Sequence, residues 1–438
     1  MKEEPSGDYY DYTKTMQPER PWLVDWHQRY TWRIMHAKRG GTGMYSGDPE
    51  MAAARPPGCR WVFGDGRIAE LFLTFEDGLK AIKRMHDLTC GVPQIVLLTG
   101  WQFEGHDSKY PAWSQVNRHL KRECDETAIA SLRWLIREAR QYNCLATLHV
   151  NMFDAYADSP LFEEYLEKDI IARDADGKAI IGNRWSGMDC YHVSYTQEWK
   201  YGLAQKRIDD LLQMIPEVAE NHCIYVDAFL GARKAEQKGP ISPYLGYSKE
   251  EEARTQRKIL RYWRDKGVDP ACEHVWGMRV DRFVGLQPHS ACQAEQIADL
   301  PDELYCSNPA HFGFTSVTEP EDFKRRFWLE FLPWHYKNNP AGSDDYGNMI
   351  DGGDICMPAL WCAEPTLIAY SKDGYADRTW SLPPDWASVS EVEVSRLTGD
   401  DPQPRERVSA GADGLQLSLE QDDAVCITCV NQKAVGTR

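Results

Sequence analysis

The sequence lacks three features that would define its class at once. No run of about 18 apolar residues occurs in its 438 positions, so no membrane-spanning helix is expected. Basic residues are few, since 50 Lys and Arg stand against 67 Asp and Glu for a net charge of −17, and nucleic-acid binding is not expected. No glycine-rich phosphate fingerprint opens a predicted helix, which disfavours a nucleotide cofactor. We expect a globular protein that needs no cofactor, no nucleic acid and no membrane.

The N-terminal residues also lack the pattern of a secretory signal. The stretch from Met1 to Pro5 is acidic, where a signal would be basic and then apolar. The 13 cysteines are scattered and mostly lie in apolar segments, as at Cys144, Cys223 and Cys306, which is typical of buried reduced thiols. We expect a cytoplasmic protein, and a secreted chain that has lost its signal is the alternative.

The chain repeats an apolar β-rich run, a short loop and an amphipathic helical pattern. Near-continuous apolar strands between helices indicate a parallel sheet with both faces covered. Five such units in about 200 residues favour a TIM-like (β/α)8 barrel over an open sheet. The five apolar runs are Leu71–Thr74, Gln94–Leu98, Leu145–Val150, Cys223–Val226 and a run that ends at Cys272.

The change of pattern along the chain predicts three segments. Residues 1–65 show no clear period and are expected to form an N-terminal wrapping segment with a few short strands. Residues 66–370 are expected to form the (β/α)8 catalytic barrel. Residues 371–438 alternate apolar and polar side chains, as in Leu415–Leu419, and predict a small C-terminal antiparallel β-domain.

Two carboxylates that follow predicted strands are the candidates for catalysis. Asp227 comes directly after Ile224–Val226, and Glu273 follows the fifth run, so both are expected above one barrel mouth. Glycoside hydrolysis needs such a pair, one carboxylate ionised as nucleophile and the other protonated as acid. Burial beside Trp276 would raise the pKa of Glu273, which suits the acid role. Alone, each carboxylate has a simpler explanation, as a helix cap or as the partner of an arginine such as Arg279.

The loop after the second strand carries small and polar residues suited to a sugar. Residues Glu104 to Ser108 read Glu-Gly-His-Asp-Ser, and His106 with Asp107 offers donors and acceptors to sugar hydroxyls. A turn in which Asp107 caps its neighbours is the simpler alternative. A metal site of His106, Asp107 and His149 is a further alternative, but no close spacing of ligands supports it, and no metal is expected.

Tryptophan in a loop is a candidate for stacking on a sugar ring. The chain has 16 Trp, and Trp185 lies in Gly182–Gly187 between helices, where it could close over a bound ring as a lid. Packing of Trp185 against its own domain is the alternative. Together with the paired carboxylates, these residues predict a carbohydrate partner.

Four stretches, in this order, resemble the endo-α-N-acetylgalactosaminidase family of glycoside hydrolases. They are Gly100 to Ser108, ending in Glu-Gly-His-Asp-Ser; His149-Val150-Asn151 with Asp154 and Tyr156 behind it; Ile224-Tyr225-Val226-Asp227; and Glu273 at the next strand end. The resemblance covers about residues 90 to 290. It implies a distorted barrel and a retaining attack on α-linked N-acetylgalactosamine in mucin-type O-glycans or glycopeptides.

The resemblance also implies a role for each matching residue. Asp227 would be the nucleophile that forms a glycosyl intermediate, and Glu273 the general acid/base. His106, Asp107 and Asn151 would hold sugar hydroxyls. The further substrate-binding candidates are Glu104, Trp185 and Trp276.

Several activities remain open from the sequence. A related α-N-acetylgalactosaminidase family includes exo-acting enzymes, so endo and exo cleavage are both compatible with the residues. An α-galactosidase or another α-glycosidase is an alternative substrate assignment. A barrel that binds sugar with little turnover is the alternative from another functional class. Metal-dependent hydrolysis at His106, Asp107 and His149 is a third alternative.

Overall fold

A computed structural model of the protein describes residues 29–39, 60–62, 68–185, 187–229, 240–272, 280–281, 285–286, 314–315, 323–339, 341–343, 347–399, 403–411 and 413–430. A six-stranded sheet and an eight-stranded sheet organise these residues, with three smaller sheets beside them. Within the described ranges, the helices are too short or too polar to cross a membrane.

The six-stranded sheet is parallel throughout. In spatial order its strands are Asp269–Cys272, Cys223–Asp227, Cys144–Asn151, Gln94–Thr99, Tyr30–Met35 and Phe314–Thr315. The first five are neighbours in chain order, and the latest strand pairs with the earliest. This is the order in which a (β/α)8 barrel closes. The described strands define a parallel α/β sheet, and the complete eight-stranded barrel stays a prediction.

The earliest strand of this sheet lies in the N-terminal segment, where the sequence predicts short strands that wrap around the barrel and not a strand of the barrel itself. Tyr30–Met35 is buried along its whole length and pairs in parallel with the next strand of the sheet. Leu71–Thr74, predicted as the first barrel strand, contributes only its first residue to Ile68–Leu71, a strand of a small antiparallel sheet. The charge of Arg33 interrupts the apolar pattern, but its guanidinium carbon lies 4.9 Å from the Tyr225 ring centroid.

Helices pack beside the parallel sheet, and three of the longer ones begin at capping side chains. Thr74 and Thr127 each accept a hydrogen bond from a first-turn amide, and Ser248 forms a capping box with Glu251. The α-helices are Phe75–Leu88, Ala128–Ala139, Phe162–Glu167, Tyr195–Lys200, Leu203–Met214, Glu217–Glu220, Lys249–Asp265, Phe323–Arg326 and Leu332–Asn338, with a π-helical turn at Phe327–Phe331. Short 3-10 turns lie at Arg118–Leu120, Arg140–Tyr142, Pro243–Leu245 and Pro384–Trp386.

The eight-stranded antiparallel sheet begins earlier than the sequence suggests. Its strands are Ile350–Asp351, Asp354–Pro358, Thr366–Ser371, Tyr375–Trp380, Glu391–Arg396, Glu406–Gly411, Gly414–Leu419 and Asp423–Cys429. Thr366–Ser371 pairs with Asp423–Cys429, so the segment from Ile350 belongs to this sheet. The predicted boundary at residue 371 assigns that segment to the barrel instead. The reason is that these strands are buried on both faces and therefore show the continuous apolar pattern of barrel strands.

One face of the antiparallel sheet packs against the main core. Ile368 and Cys426 belong to the large cluster that also contains the helices beside the parallel sheet. Their neighbours Leu367 and Ile427 face a second, smaller core formed by the antiparallel strands themselves. Alternate residues of these strands therefore face opposite sides, and one side continues the apolar core of the parallel-sheet region.

Three small sheets complete the described strands. Asp154–Tyr156 pairs with the hairpin of Ile181–Trp185 and Met188–His192. Ala37–Arg39 pairs with Ile68–Leu71, which also pairs with Arg60–Val62. Val280–Asp281 and Gly285–Leu286 form a two-stranded ladder. The first two sheets matter here because they adjoin the carboxyl ends of the parallel strands.

Candidate active site

Three polar side chains lie at the carboxyl ends of two adjacent parallel strands. His149 and Asn151 end one strand, and Asp227 ends its neighbour. In the register, Asp227 lies opposite Asn151 and Tyr225 lies opposite His149. The two sequence predictions, Asp227 and Asn151, therefore come together at one edge of the sheet.

His106, His149 and Asp227 form a compact group at this edge. Their donor atoms all lie within 4.8 Å of one another. His149 Nε2 is 3.4 Å from Asp227 Oδ2, and the two histidine rings meet edge to face with centroids 5.0 Å apart. The His149 side chain is 0% exposed but that of Asp227 is 18% exposed, so the carboxylate is the member of the pair that solvent or a ligand can reach.

Two glycines allow the loop that carries His106 to pack directly on a neighbouring strand. Gly100 and Gly105 have φ values of +76° and +118°. A Cβ at Gly100 would lie 1.9 Å from the Ala37 oxygen, and one at Gly105 would lie 2.5 Å from the Ala37 carbonyl carbon. The His106 amide then donates a hydrogen bond to the Ala37 oxygen at 2.8 Å. The glycines therefore fix the position of the His106 backbone.

Burial keeps the His106 imidazole neutral. Desolvation lowers the pKa of His106 to about 4, although Asp107 acts in the opposite direction. The distance of 3.5 Å between His106 Nε2 and Asp107 Oδ1 is therefore not an ion pair near neutral pH. A neutral imidazole has one donor and one acceptor nitrogen, which is what a sugar hydroxyl requires of its partner.

Asp107 itself adopts a backbone conformation that is uncommon for residues other than glycine. Its φ is +58°, in the left-handed region, and Lys109 two residues later has a φ of +56°. Such strained positions are frequent at binding sites, where the surrounding structure holds them. The loop thus holds both predicted sugar-binding residues, His106 and Asp107, beside Asp227.

Asn151 is fixed by the turn that follows it. Its Oδ1 accepts hydrogen bonds from the amides of Phe153 and Asp154, both at 2.8 Å, and its Nδ2 donates to Asp154 Oδ2 at 2.9 Å. Burial, with the nearby charges of Asp107 and Asp227, raises the pKa of Asp154 to about 7. The sequence analysis places Asp154 only within the family motif, and its contact with Asn151 adds it to the site.

Glu104 lies in a network of charged side chains around the same loop. It accepts a hydrogen bond from the Ser108 hydroxyl, and Lys109 Nζ lies 3.8 Å from its Oε1. Lys109 also approaches Asp158, which receives a 2.8 Å contact from Arg39. These contacts tie Glu104 to the loop and to the strand Ala37–Arg39, and its substrate contact stays a prediction.

Lys38 is a site residue that the sequence analysis misses. Lys38 lies in the strand Ala37–Arg39 and forms a parallel β-bridge with His106. Burial lowers the pKa of Lys38, although the charges of Asp107 and Glu70 act in the opposite direction. Lys38 lies in the N-terminal segment, which shows no clear period, and for this reason it was not predicted. The one signal in the sequence was a short run of alternating polar and apolar residues from Tyr30 onward.

Trp185 lies at the turn of the hairpin formed by Ile181–Trp185 and Met188–His192, where it is opposite Met188. The side chain is 36% exposed, and the hairpin pairs with the strand Asp154–Tyr156 through His192 opposite Asp154. Glu273 and Trp276 lie outside the described residues. The strand that leads to Glu273 pairs with the Asp227 strand, with Cys272 opposite Val226.

Two imidazoles and a carboxylate are also a donor set that metals accept. The group of His106, His149 and Asp227 shares two histidines with the metal alternative of the sequence analysis, while Asp227 takes the place of Asp107. The alternative therefore has a definite set of residues to test.

Comparison with known proteins gives one family and several related structures. Residues 70–255 match the family model described as Endo-alpha-N-acetylgalactosaminidase. Among solved structures, the chain is similar to the GalNAc complex of alpha-N-acetylgalactosaminidase NagBb from Bifidobacterium bifidum, at 16% identity and a TM-score of 0.45 over 68% of this chain and 44% of that chain. It is similar to the Thermus thermophilus alpha-galactosidase TtGalA at 14% identity and a TM-score of 0.33, over 58% and 42% of the two chains. It is also similar to an alpha-amylase from Malbranchea cinnamomea at 10% identity and a TM-score of 0.44, over 93% and 97%.

Over residues 70–255, which include the polar edge of the parallel sheet, the chain is similar to a family of glycoside hydrolases. This match covers residues 70–255, which is less than half of the 438 residues. The chain spans less than half of the length of NagBb, since the alignment covers 44% of that chain.

Proposed function

We propose that the protein hydrolyses α-linked N-acetylgalactosamine with retention, through a covalent intermediate on Asp227. The observation that carries this proposal is the partly exposed Asp227 carboxylate beside the buried His149 and His106. A nucleophilic carboxylate needs access to the anomeric carbon and a rigid surround that sets its direction. The 18% exposure of the Asp227 side chain and its two buried histidine neighbours support this role.

Glu273 is the proposed general acid/base. Its strand adjoins that of Asp227, which supports a place on the same edge of the sheet. Retention requires the two carboxyl groups to lie about 5–5.5 Å apart, whereas inversion needs a wider gap for water. In the first step Glu273 protonates the leaving oxygen while Asp227 forms the glycosyl ester. In the second step Glu273 takes a proton from water, which displaces Asp227 and releases the α-anomer.

His106, Asp107 and Asn151 are the proposed contacts for sugar hydroxyls. The His106 ring is neutral, the Asp107 carboxylate accepts hydrogen bonds, and the Asn151 amide is oriented by Asp154. Trp185 is exposed on the adjacent hairpin, which supports its proposed role as a stacking surface for a sugar ring. Glu104 and Trp276 complete the proposed binding set.

The test is hydrolysis of a chromogenic panel by the wild type and by Asp227→Asn. The panel carries α-linked N-acetylgalactosamine, galactose, glucose and the disaccharide galactosyl-β-1,3-N-acetylgalactosamine. Release from the disaccharide alone means endo action, and release from single N-acetylgalactosamine means exo action. Proton NMR of the first sugar released reads the anomer, and the α-anomer is expected.

The same panel contains outcomes that contradict the proposal. Hydrolysis by Asp227→Asn at the wild-type rate would remove the nucleophile assignment. A β-anomer as the first product would replace retention by inversion. Silence of a folded wild type across the panel would favour another α-glycoside or a sugar-binding role.

Metal-dependent hydrolysis is a second candidate, because His106, His149 and Asp227 offer three donor atoms within 4.8 Å of one another. It predicts that chelator abolishes turnover and that one divalent cation restores it. The glycosyl-enzyme mechanism predicts full activity in chelator. Metal analysis of the purified protein separates the two without relying on turnover.

A further inference from the structure

Three thiols meet where a helix beside the parallel sheet contacts the antiparallel sheet. Cys90 follows the helix Phe75–Leu88, Cys426 lies in the strand Asp423–Cys429, and Cys362 precedes Thr366–Ser371. Cys90 Sγ is 3.1 Å from Cys426 Sγ, and Cys362 Sγ is 4.0 Å from Cys90 Sγ. All three thiols are free cysteines.

The backbone holds Cys90 in place on both sides. Its φ of +57° is left-handed, a conformation that residues with a side chain rarely adopt. The carbonyl of Cys90 accepts a hydrogen bond from Trp361 Nε1 at 3.2 Å and one from Cys362 Sγ at 3.4 Å. The next amide, of Gly91, donates to the His86 oxygen at 2.7 Å. Helix and sheet therefore fix the thiol of Cys90 against Cys426.

We propose that Cys90 and Cys426 form a disulfide on exchange with a low-molecular-weight disulfide such as oxidised glutathione, and so link the antiparallel sheet to the parallel-sheet region. A disulfide bond is about 2.0 Å long, so the two sulfurs need to approach by about 1 Å. The link would join positions 336 residues apart in sequence. It does not depend on the sugar chemistry at Asp227.

The exchange balances in two steps. A thiolate of the pair attacks one sulfur of the oxidant, which forms a mixed disulfide and releases one glutathione. The other thiolate of the pair then attacks the protein sulfur of the mixed disulfide, closes the Cys90–Cys426 bond and releases the second glutathione. The two protein thiols lose two protons and two electrons, and the oxidant is reduced to two thiols.

The electrostatics of Cys90 predict how this exchange depends on pH. A hydrogen bond with Cys362 lowers its pKa, but the hydrogen bond with Cys426 and burial act in the opposite direction and raise it to about 12. The thiolate is the reacting form, and below the pKa its population grows about tenfold for each unit by which the pH rises. We expect the link to close slowly near neutral pH and faster at alkaline pH.

The test is mass-spectrometric mapping of the reduced full chain after incubation with oxidised glutathione. We expect a peptide containing Cys90 joined to one containing Cys426, in a yield that rises with pH and with time. Thermal unfolding of the same sample is expected at a higher temperature than that of the reduced sample, because the cross-link restricts the unfolded chain.

Matched variants make the assignment specific. Cys426→Ser is expected to abolish the linked peptide, whereas Cys429→Ser, on the same strand, leaves it unchanged. The exposed Cys124 reports through its glutathione adduct that the oxidant was active. A wild type with that adduct but no Cys90–Cys426 link overturns the proposal, and a link from Cys90 to Cys362 overturns the pairing. Because the wild type alone decides, a variant that fails to fold leaves the test intact.

Discussion

At the residue scale, the contact between His149 and Asp227 orients the proposed nucleophile. The imidazole is buried, its Nε2 lies 3.4 Å from the carboxylate, and its ring lies 5.1 Å from that of Tyr225. A residue that positions a nucleophile affects the rate of bond formation more than the binding of substrate. We therefore expect His149 to act as a positioning residue and not as a ligand of a sugar hydroxyl.

Substitution of His149 separates these roles. His149→Ala is expected to lower kcat about 100-fold with little change in KM, and His149→Gln, whose amide can still donate, about tenfold. Steady-state kinetics on the substrate found with the panel measures both. A rise in KM at unchanged kcat would mean instead that His149 binds the sugar.

A second residue-scale prediction concerns the buried carboxyl of Asp154. Its folded pKa of about 7 lies above the ordinary aspartate pKa of 3.8, so the folded protein holds this proton more tightly than the unfolded chain. The free energy of unfolding therefore falls as the pH rises from 3.8 to about 7, by up to about 4 kcal/mol. Asp154→Asn is expected to remove this slope and to be the more stable protein above pH 7.

Urea unfolding at a series of pH values measures the Asp154 effect. Asp154→Asn keeps an oxygen that can accept the bond from Asn151, so its stability need not fall at low pH. An unchanged slope in the variant would show that the pH dependence does not arise from Asp154.

At the scale of elements, the loop that carries His106 depends on a glycine. Gly105→Ala places a Cβ 2.5 Å from the Ala37 carbonyl carbon at a φ of +118°. We expect the loop to leave the strand Ala37–Arg39, with at least about tenfold lower kcat/KM and a loss of about 3 kcal/mol of stability.

Gly187→Ala is the matched control for this substitution. Gly187 also has a positive φ, of +77°, but no atom lies within 4 Å of the added Cβ. Only the conformational cost of about 1–2 kcal/mol applies, and activity is expected to persist. Equal losses in the two variants would remove packing on Ala37 from the explanation.

Elements with local patterns were predictable from the sequence, and those set by distant contacts were not. The strands that end at Asn151, Asp227 and Cys272 follow from short apolar runs with polar residues after them. Tyr30–Met35 does not, because Arg33 is accommodated by the ring of Tyr225, almost 200 positions away. The contact between His149 and Asp227 depends on the register of two strands, which no spacing along the chain defines.

At the scale of the whole molecule, three buried histidines limit stability in acid. Burial lowers the pKa values of His36, His106 and His335 to about 4, against 6.5 for an unperturbed histidine. Between these values the unfolded chain binds protons that the folded protein does not, so stability falls as the pH falls from 6.5 to about 4.

Thermal unfolding across this range tests the acid limb. We expect Tm to decrease with decreasing pH, because the three histidines take up as many as three protons on unfolding while Asp154 releases only one. His335 lies in the helix Leu332–Asn338, away from the site. The substitution His335→Gln is expected to reduce the number of protons taken up on unfolding by about one. A Tm independent of pH between 6.5 and 4 would contradict the neutral, buried state of these rings.

Trapping the glycosyl ester shows whether Asp227 forms a covalent bond to the sugar. A 5-fluoro derivative of the glycosyl fluoride of α-N-acetylgalactosamine slows hydrolysis of the glycosyl ester and allows it to accumulate. Peptide mapping of the labelled protein is predicted to place the sugar on Asp227. A label on another residue, or an active enzyme that forms no adduct and releases the β-anomer, would contradict the account.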